Sequence, residues 1–264
     1  MIRAEDVSKA ILESYMRHLY RYRKPNGKPL AYGTQRERIG GVRDFFRWLC
    51  RSDHIPFNPA SELEMPRPEK RLPEEPLSIA QVETVLGLPD LDDPLGIRDR
   101  AIMELFYSCG LRRSELVHLT VTDLNHERQT LQIRQGKGKK DRVVPVGSRA
   151  LAWMEKYLDE VRPQLLLCIR EQALFLTSYG EAFNPDVLSR RMAAYIKKAD
   201  LGRGGSCHLF RHTWATHMLE GGADIRFIQQ LLGHASIETT QIYTEVSIQQ
   251  LQRVHEQTHP ARLK

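Results

Sequence analysis

The chain holds only four cysteines, Cys50, Cys109, Cys168 and Cys207, and no two of them form a CxxC pair. That spacing excludes a disulfide framework and a cysteine zinc cage, and it fits a reducing compartment. No apolar run approaches the roughly 20 residues that a membrane-spanning helix needs, so no membrane partner is expected. The N-terminal stretch carries acids early and lacks the apolar core of a secretory signal, which points to the cytoplasm. The Gly-x4-Gly-Lys-Ser/Thr spacing of a phosphate-binding loop is missing, as are internal repeats and low-complexity tracts.

Positive charge is present, and it is unevenly placed. Of a net charge of +6, residues 1–71 hold 15 Lys and Arg against 9 Asp and Glu, while the remainder is balanced at 24 of each. A basic surplus confined to the first quarter is the electrostatic footprint expected of a nucleic-acid binder. That quarter ends in prolines: Pro56, Pro59, Pro66, Pro68, Pro73 and Pro76. Proline lacks an N–H and biases its predecessor away from helix, so the stretch reads as an extended linker. We therefore expect a helical segment over 1–65, a linker over 66–76 and a larger domain over 77–264.

In the small segment Ile11, Tyr15, Leu19 and Tyr22 recur at helical spacing, and Pro25, Gly27 and Pro29 break the helix. A second helix is expected from about Thr34 to Cys50, with Ile39, Val42, Phe45, Phe46 and Leu49 inward. Arg36, Arg38, Arg43 and Arg47 lie elsewhere on its circumference, an arrangement suited to phosphates or a groove.

The larger domain opens with Ser78 as an N-cap. A buried helix follows over Asp99 to Ser108, ending at Gly110, and another begins at Ser114. The period then changes to two: Thr130 to Arg134 alternates, a lysine-rich turn follows, and Arg142 to Val146 returns as a hairpin partner. After Ser148 the chain reads as helical to its end. The fold class is thus mainly α with a small antiparallel β-sheet.

Four places could carry chemistry. Cys109-Gly110-Leu111-Arg112-Arg113-Ser114-Glu115 is a glycine turn leading into a helix whose first residues include arginine, an anion-binding arrangement; Glu115 could fix Arg112 by an ion pair. The turn Gly136-Lys137-Gly138-Lys139-Lys140 offers charge on flexible stems. His208, Arg211 and His212 fall within about a 100° sector of one helix, a guanidinium and two imidazoles on one edge; helical geometry leaves open which histidine acts. The i, i+4 histidines lack the glutamate of HExxH, and Arg211 would repel a cation, so no metal is expected. Last, Asp224 and Gly233 cap a helix that delivers His234 into a tight corner, and Ser236 caps a short helix carrying Tyr243.

Together these segments resemble the tyrosine recombinase family, its compact Xer-like members and related integrases in particular. The matching stretches are GLRRSELVHLTVTDL, QGKGKKDRVVPV, HLFRHTWATHML and LLGHASIETTQIYT, in that order. The resemblance implies a helical core-binding segment, shortened to its second half, before a catalytic domain. It implies catalytic roles for Arg112, Lys137, His208, Arg211, His234 and Tyr243, with Glu115 in support, and it selects His208 over His212. It implies contacts to duplex DNA from Lys139 and Lys140 as well as the α-helical arginines. The tail from Ser247, apolar at Ile248, Leu251 and Val254, is then expected to dock on a neighbouring copy in a tetramer bound to two DNA sites. The reaction implied is site-specific strand exchange through a 3′-phosphotyrosyl link, without cofactor or metal. The alternatives are strand relaxation of the type IB topoisomerase kind and DNA binding without catalysis.

Overall fold

The computed structural model describes residues 3–65, 75–134 and 141–233. The chain divides into two compact units, Met1–Leu72 and Pro73–Lys264, each described by itself.

The first unit is built on two helices, α1 (Lys9–Arg21) and α2 (Tyr32–Arg51). Ser8 caps α1, its side chain accepting from the Ile11 amide. Between the helices the prolines act as expected: a turn closes through Lys24 N–H to the Lys28 carbonyl at 2.9 Å, with Gly27 at φ 73°. The buried face of α1 runs through Leu12 and Leu19, leaving Ile11 and Tyr22 exposed. On α2, Ile39, Phe46 and Leu49 are buried, whereas Phe45 is half exposed, contrary to the inward placement expected for it. Phe45 instead packs edge-on to Phe46 and stacks with Trp48 on the outer face. Two adjacent positions on a helix are 100° apart, so Phe45 and Phe46 cannot both point into so thin a core.

The second unit is assembled around α4 (Pro94–Cys109). Ahead of it stands α3 (Ile79–Leu86), started by a capping box in which Ser78 and Gln81 exchange hydrogen bonds. Asp93 caps α4 and Pro94 occupies its first turn, so the helix begins earlier than Asp99. Its interior is buried nearly all round, including Ala101, Ile102, Met103, Leu105 and Phe106. Three charged residues of α4 share that core: Arg98, Asp99 and Glu104, the last paired with Arg100 at 2.8 Å and Arg149 at 2.9 Å. Asp99 receives Arg98 at 2.8 Å, Arg191 at 2.7 Å and the Tyr195 hydroxyl at 2.8 Å, and Arg98 also donates to the Leu176 carbonyl at 3.0 Å. Every buried polar group in this network has a partner, which is the condition for tolerating it.

After α5 (Arg113–Val117) the chain forms an antiparallel sheet of order β1-β2-β3: Leu124–Asn125, Thr130–Ile133 and Arg142–Pro145. The hairpin strands pair in the register Thr130↔Pro145 to Ile133↔Arg142. The third strand, β1, is only two residues long and had no alternation to reveal it. Next come α6 (Ser148–Lys156), a π-helical turn over Tyr157–Val161 and α7 (Arg162–Leu165). Residues 166–184 then depart from the expected continuous helix. They are irregular and are pinned by isolated bridges, Thr120↔Ala173 and Leu176↔Ala182. The unit continues with α8 (Pro185–Lys198), α9 (Cys207–Glu220) and α10 (Ile225–Leu232). Ile228 and Leu232 of α10 pack on Trp214, Ala215 and Leu219 of α9. Among the described residues, no helix is long and apolar enough to cross a membrane.

Candidate active site

The site is built where α4, α5, β3, α9 and α10 end or begin. Gly110 terminates α4 in the left-handed conformation, φ 59°, as the sequence predicts. A Cβ there would lie 2.5 Å from the Trp214 ring of α9, so glycine is required by contact as well as by φ. Two residues on, Arg112 is the N-cap of α5, and Glu115 reaches back to accept its amide at 2.8 Å.

Glu115 organises the cluster. It is 6 % exposed, and three arginines converge on it. Arg112 donates Nη1 at 2.6 Å, Arg142 donates Nη1 and Nη2 to the two carboxylate oxygens at 2.8 Å each, and Arg211 Nη1 lies 3.9 Å away. Burial alone would push the carboxyl pKa up; the hydrogen bonds from Arg142 and from the Arg112 backbone outweigh it and bring it down to about 2. Glu115 is therefore a carboxylate at any ordinary pH, and among these four side chains the charge remains positive.

Arg211 sits in the second turn of α9, 7 % exposed. It donates to the Gly110 carbonyl at 2.6 Å and the Leu232 carbonyl at 2.8 Å. Arg112 donates to the Gly233 carbonyl at 3.2 Å, and its side chain retains 20 % exposure, so a substrate anion can reach it. His208 opens the first turn of α9 and is exposed, whereas His212 is partly buried. Partial burial, then the positive charges of Arg113, Arg211 and Arg112, hold the His208 pKa below its usual value. That histidine is largely neutral near pH 7 and can take up or pass a proton.

The geometry thus brings Arg112, Arg211 and Glu115 together and sets His208 on the same helix as Arg211. Asp224 and Gly233 cap α10 as expected, the latter at φ 62°. Lys137, Lys139, Lys140, His234 and Tyr243 lie outside the described residues, as do the tail and most of the 66–76 linker. Arg36, Arg38 and Arg47 are exposed on α2, Arg43 partly so, and Arg47 pairs with Asp44 at 2.6 Å.

Sequence reasoning passed over Arg142, reading it only as a strand residue. A signal existed. Val144 and Val146 face inward, and the two-residue period of a strand puts Arg142 on that same face. An inward arginine needs a buried acceptor.

The profile described as the Phage integrase family matches residues 76–250. The tyrosine recombinase XerC 2 of Ralstonia nicotianae is 51% identical over 259 residues, covering 98% of this chain and 74% of that protein. This chain belongs to the phage integrase family of tyrosine recombinases. The recombinase is also 41% identical over 222 residues to tyrosine recombinase XerD of Pseudomonas aeruginosa, covering 84% of this chain and 74% of that one. Among solved structures, it is similar to XerA recombinase (27% identity, TM-score 0.62, 98% of this chain and 86% of the other). XerH site-specific recombinase, bound to palindromic difH substrate in a post-cleavage complex, shares the fold (21% identity, TM-score 0.75, 96% and 73%).

Proposed function

We propose that this site-specific recombinase cuts and rejoins duplex DNA by attack of the Tyr243 hydroxyl on a phosphate held between Arg112 and Arg211. The observation that carries the reading is the cluster itself: arginines from three different elements around one buried carboxylate, open to solvent at Arg112. Guanidinium groups fixed before substrate arrives stabilise the charge that develops on a phosphoryl group in transit.

A phenol has a pKa of about 10, so ionising it near neutral pH costs about 4 kcal/mol. Cations and a hydrogen-bonding base offset that cost. In the proposed step the Tyr243 oxygen bonds to phosphorus and the bond to the 5′ oxygen breaks. The phenolic proton passes to His208 or His234, and Lys137 protonates the departing 5′ oxygen. The resulting 3′-phosphotyrosyl link conserves the bond energy. A 5′ hydroxyl from a partner strand reverses the step, so the scheme draws on neither ATP nor a metal ion. Other nucleophiles fit poorly: burial pushes the Cys109 thiol up to about 12 and the Cys207 thiol to about 11, and it raises Tyr107 and Tyr157 as well.

The exposed arginines of α2, with Lys139 and Lys140, are assigned to the DNA backbone. The tail from Ser247 is assigned to a neighbouring copy in a tetramer on two sites, supported by the helical spacing of Ile248, Leu251 and Val254. We place the reaction in the cytoplasm, in keeping with dispersed cysteines. Relatives named as recombinases favour strand exchange over simple relaxation.

The test is capture from a library of nicked duplexes with randomised flanks. Wild-type protein should form a denaturant-resistant protein–DNA adduct, and Tyr243→Phe should form none. An adduct that persists in Tyr243→Phe removes the nucleophile assignment; binding without any adduct supports the non-catalytic alternative.

A further inference from the structure

Arg142 has no part in the scheme above, yet its contacts are the most specific in the cluster. Its side chain is 10 % exposed. Nη1 and Nη2 grip both oxygens of Glu115, and Nε donates to the Leu231 carbonyl at 2.7 Å. Lysine cannot reproduce that planar fork.

The acceptors form a pattern. Three consecutive carbonyls at the C-terminal end of α10 each receive a different arginine: Leu231 from Arg142, Leu232 from Arg211, Gly233 from Arg112. A helix C-terminus leaves its last carbonyls without partners and carries partial negative charge. Here those groups hold the guanidinium set in register. Gly233 completes the fit, because a Cβ there would meet the Arg142 Nη1 at 3.2 Å and its Cδ at 3.3 Å. Glu115 Oε1 is shared between Arg112 and Arg142, so its orientation, and with it that of Arg112, depends on both.

We propose that Arg142 is a positioning residue: it locks Glu115 to the end of α10 so that Arg112 and Arg211 meet the same phosphate. This rests on the reading of the cluster as a phosphate-binding site. Arg142 acts through its neighbours and touches no reacting atom.

The test compares wild type with Arg142→Lys on the nicked duplex recovered by that capture. Its scissile phosphate is either natural or a methylphosphonate, one non-bridging oxygen replaced by methyl, each stereoisomer separately. On the natural phosphate the adduct should form about a hundredfold more slowly in the variant, the scale of an ångström of misplacement, with DNA affinity little changed. On at least one methylphosphonate isomer the gap should shrink severalfold or more, because the charge that the arginines must meet is gone. Partial unfolding of the variant would slow both substrates alike and cancels in the ratio. Equal rates on the natural phosphate, or one ratio on every substrate, overturns the proposal. A wild-type protein that forms no adduct with any duplex removes the phosphate-binding reading instead, and that failure is visible before the variant is compared.

Discussion

At the scale of single residues, Glu115 sets the character of the site. A buried ion is tolerated only if paired, and deleting one partner of such a group costs about 3 to 5 kcal/mol because it strands the other. Glu115 answers Arg112 and Arg142 directly and Arg211 at a distance. Its low pKa gives a measurable consequence. The unfolded carboxyl titrates at about 4.3, the folded one at about 2. A depressed folded pKa means that stability is fully present above the unfolded value and is lost as pH falls through the folded one. That difference corresponds to about 3 kcal/mol. Chemical denaturation of wild type and Glu115→Gln between pH 6 and pH 2 isolates it. The stability gap between the two should be constant above pH 5 and shrink by about that amount by pH 2; parallel curves across the range would show that the carboxylate is not held as the structure has it.

At the scale of elements, the site depends on how two helices stop, α4 at Gly110 and α10 at Gly233. Gly110 ends α4 where its carbonyl can accept Arg211, and it lies against Trp214. Gly110→Ala has to carry a left-handed alanine and push the indole aside. The two penalties together come to about 2 to 5 kcal/mol. Thermal unfolding should report the loss, and the cleavage rate of the remaining folded protein should drop as well, since Arg211 is tied to that carbonyl. A variant as stable as wild type would contradict the close approach. Helix starts and stops were also the most legible part of the sequence. Ser78, Asp224, Gly110 and Gly233 act within one turn of chain, so their residue type alone reveals them. The same holds for the β2–β3 hairpin, whose alternation is local. What was hidden depends on distant partners. Arg142 meets Glu115 across 27 residues and Leu231 across 89, and no local pattern encodes either meeting. The irregular path of 166–184 likewise depends in part on a distant partner, the bridge from Ala173 to Thr120, besides its own local bridge Leu176↔Ala182. Phe45 departs from its expected inward place because hydrophobicity does not by itself decide direction: a thin two-helix unit has room for only one of two adjacent rings.

At the scale of the whole molecule, the charge is divided as the structure is. The unit Met1–Leu72 carries the entire surplus of positive charge, while the larger unit is balanced overall and gathers Arg112, Arg142 and Arg211 around Glu115. Under the proposed function, attraction to DNA at long range and the chemistry at one phosphate fall to different units. The exposed Arg36, Arg38 and Arg47 of α2 are the groups through which the first role should act. The pair between Arg47 and Asp44 does not oppose it. Both side chains are largely in solvent, where such a pair contributes about 0 to 1 kcal/mol, and a phosphate can displace the carboxylate. Each phosphate that a basic side chain neutralises releases counterions, so log affinity should fall linearly with log salt at a slope of about −0.9 per phosphate. Replacing the three arginines by glutamine should make the slope shallower by about 0.9 for every phosphate no longer neutralised. Thermal stability should change little, since exposed substitutions of this kind stay within about 0.5 kcal/mol. If the slope is unchanged while binding persists, the phosphates are held by other residues and α2 has no part in holding DNA. If it flattens and the cleavage rate at saturating DNA is kept, attraction and chemistry are separable.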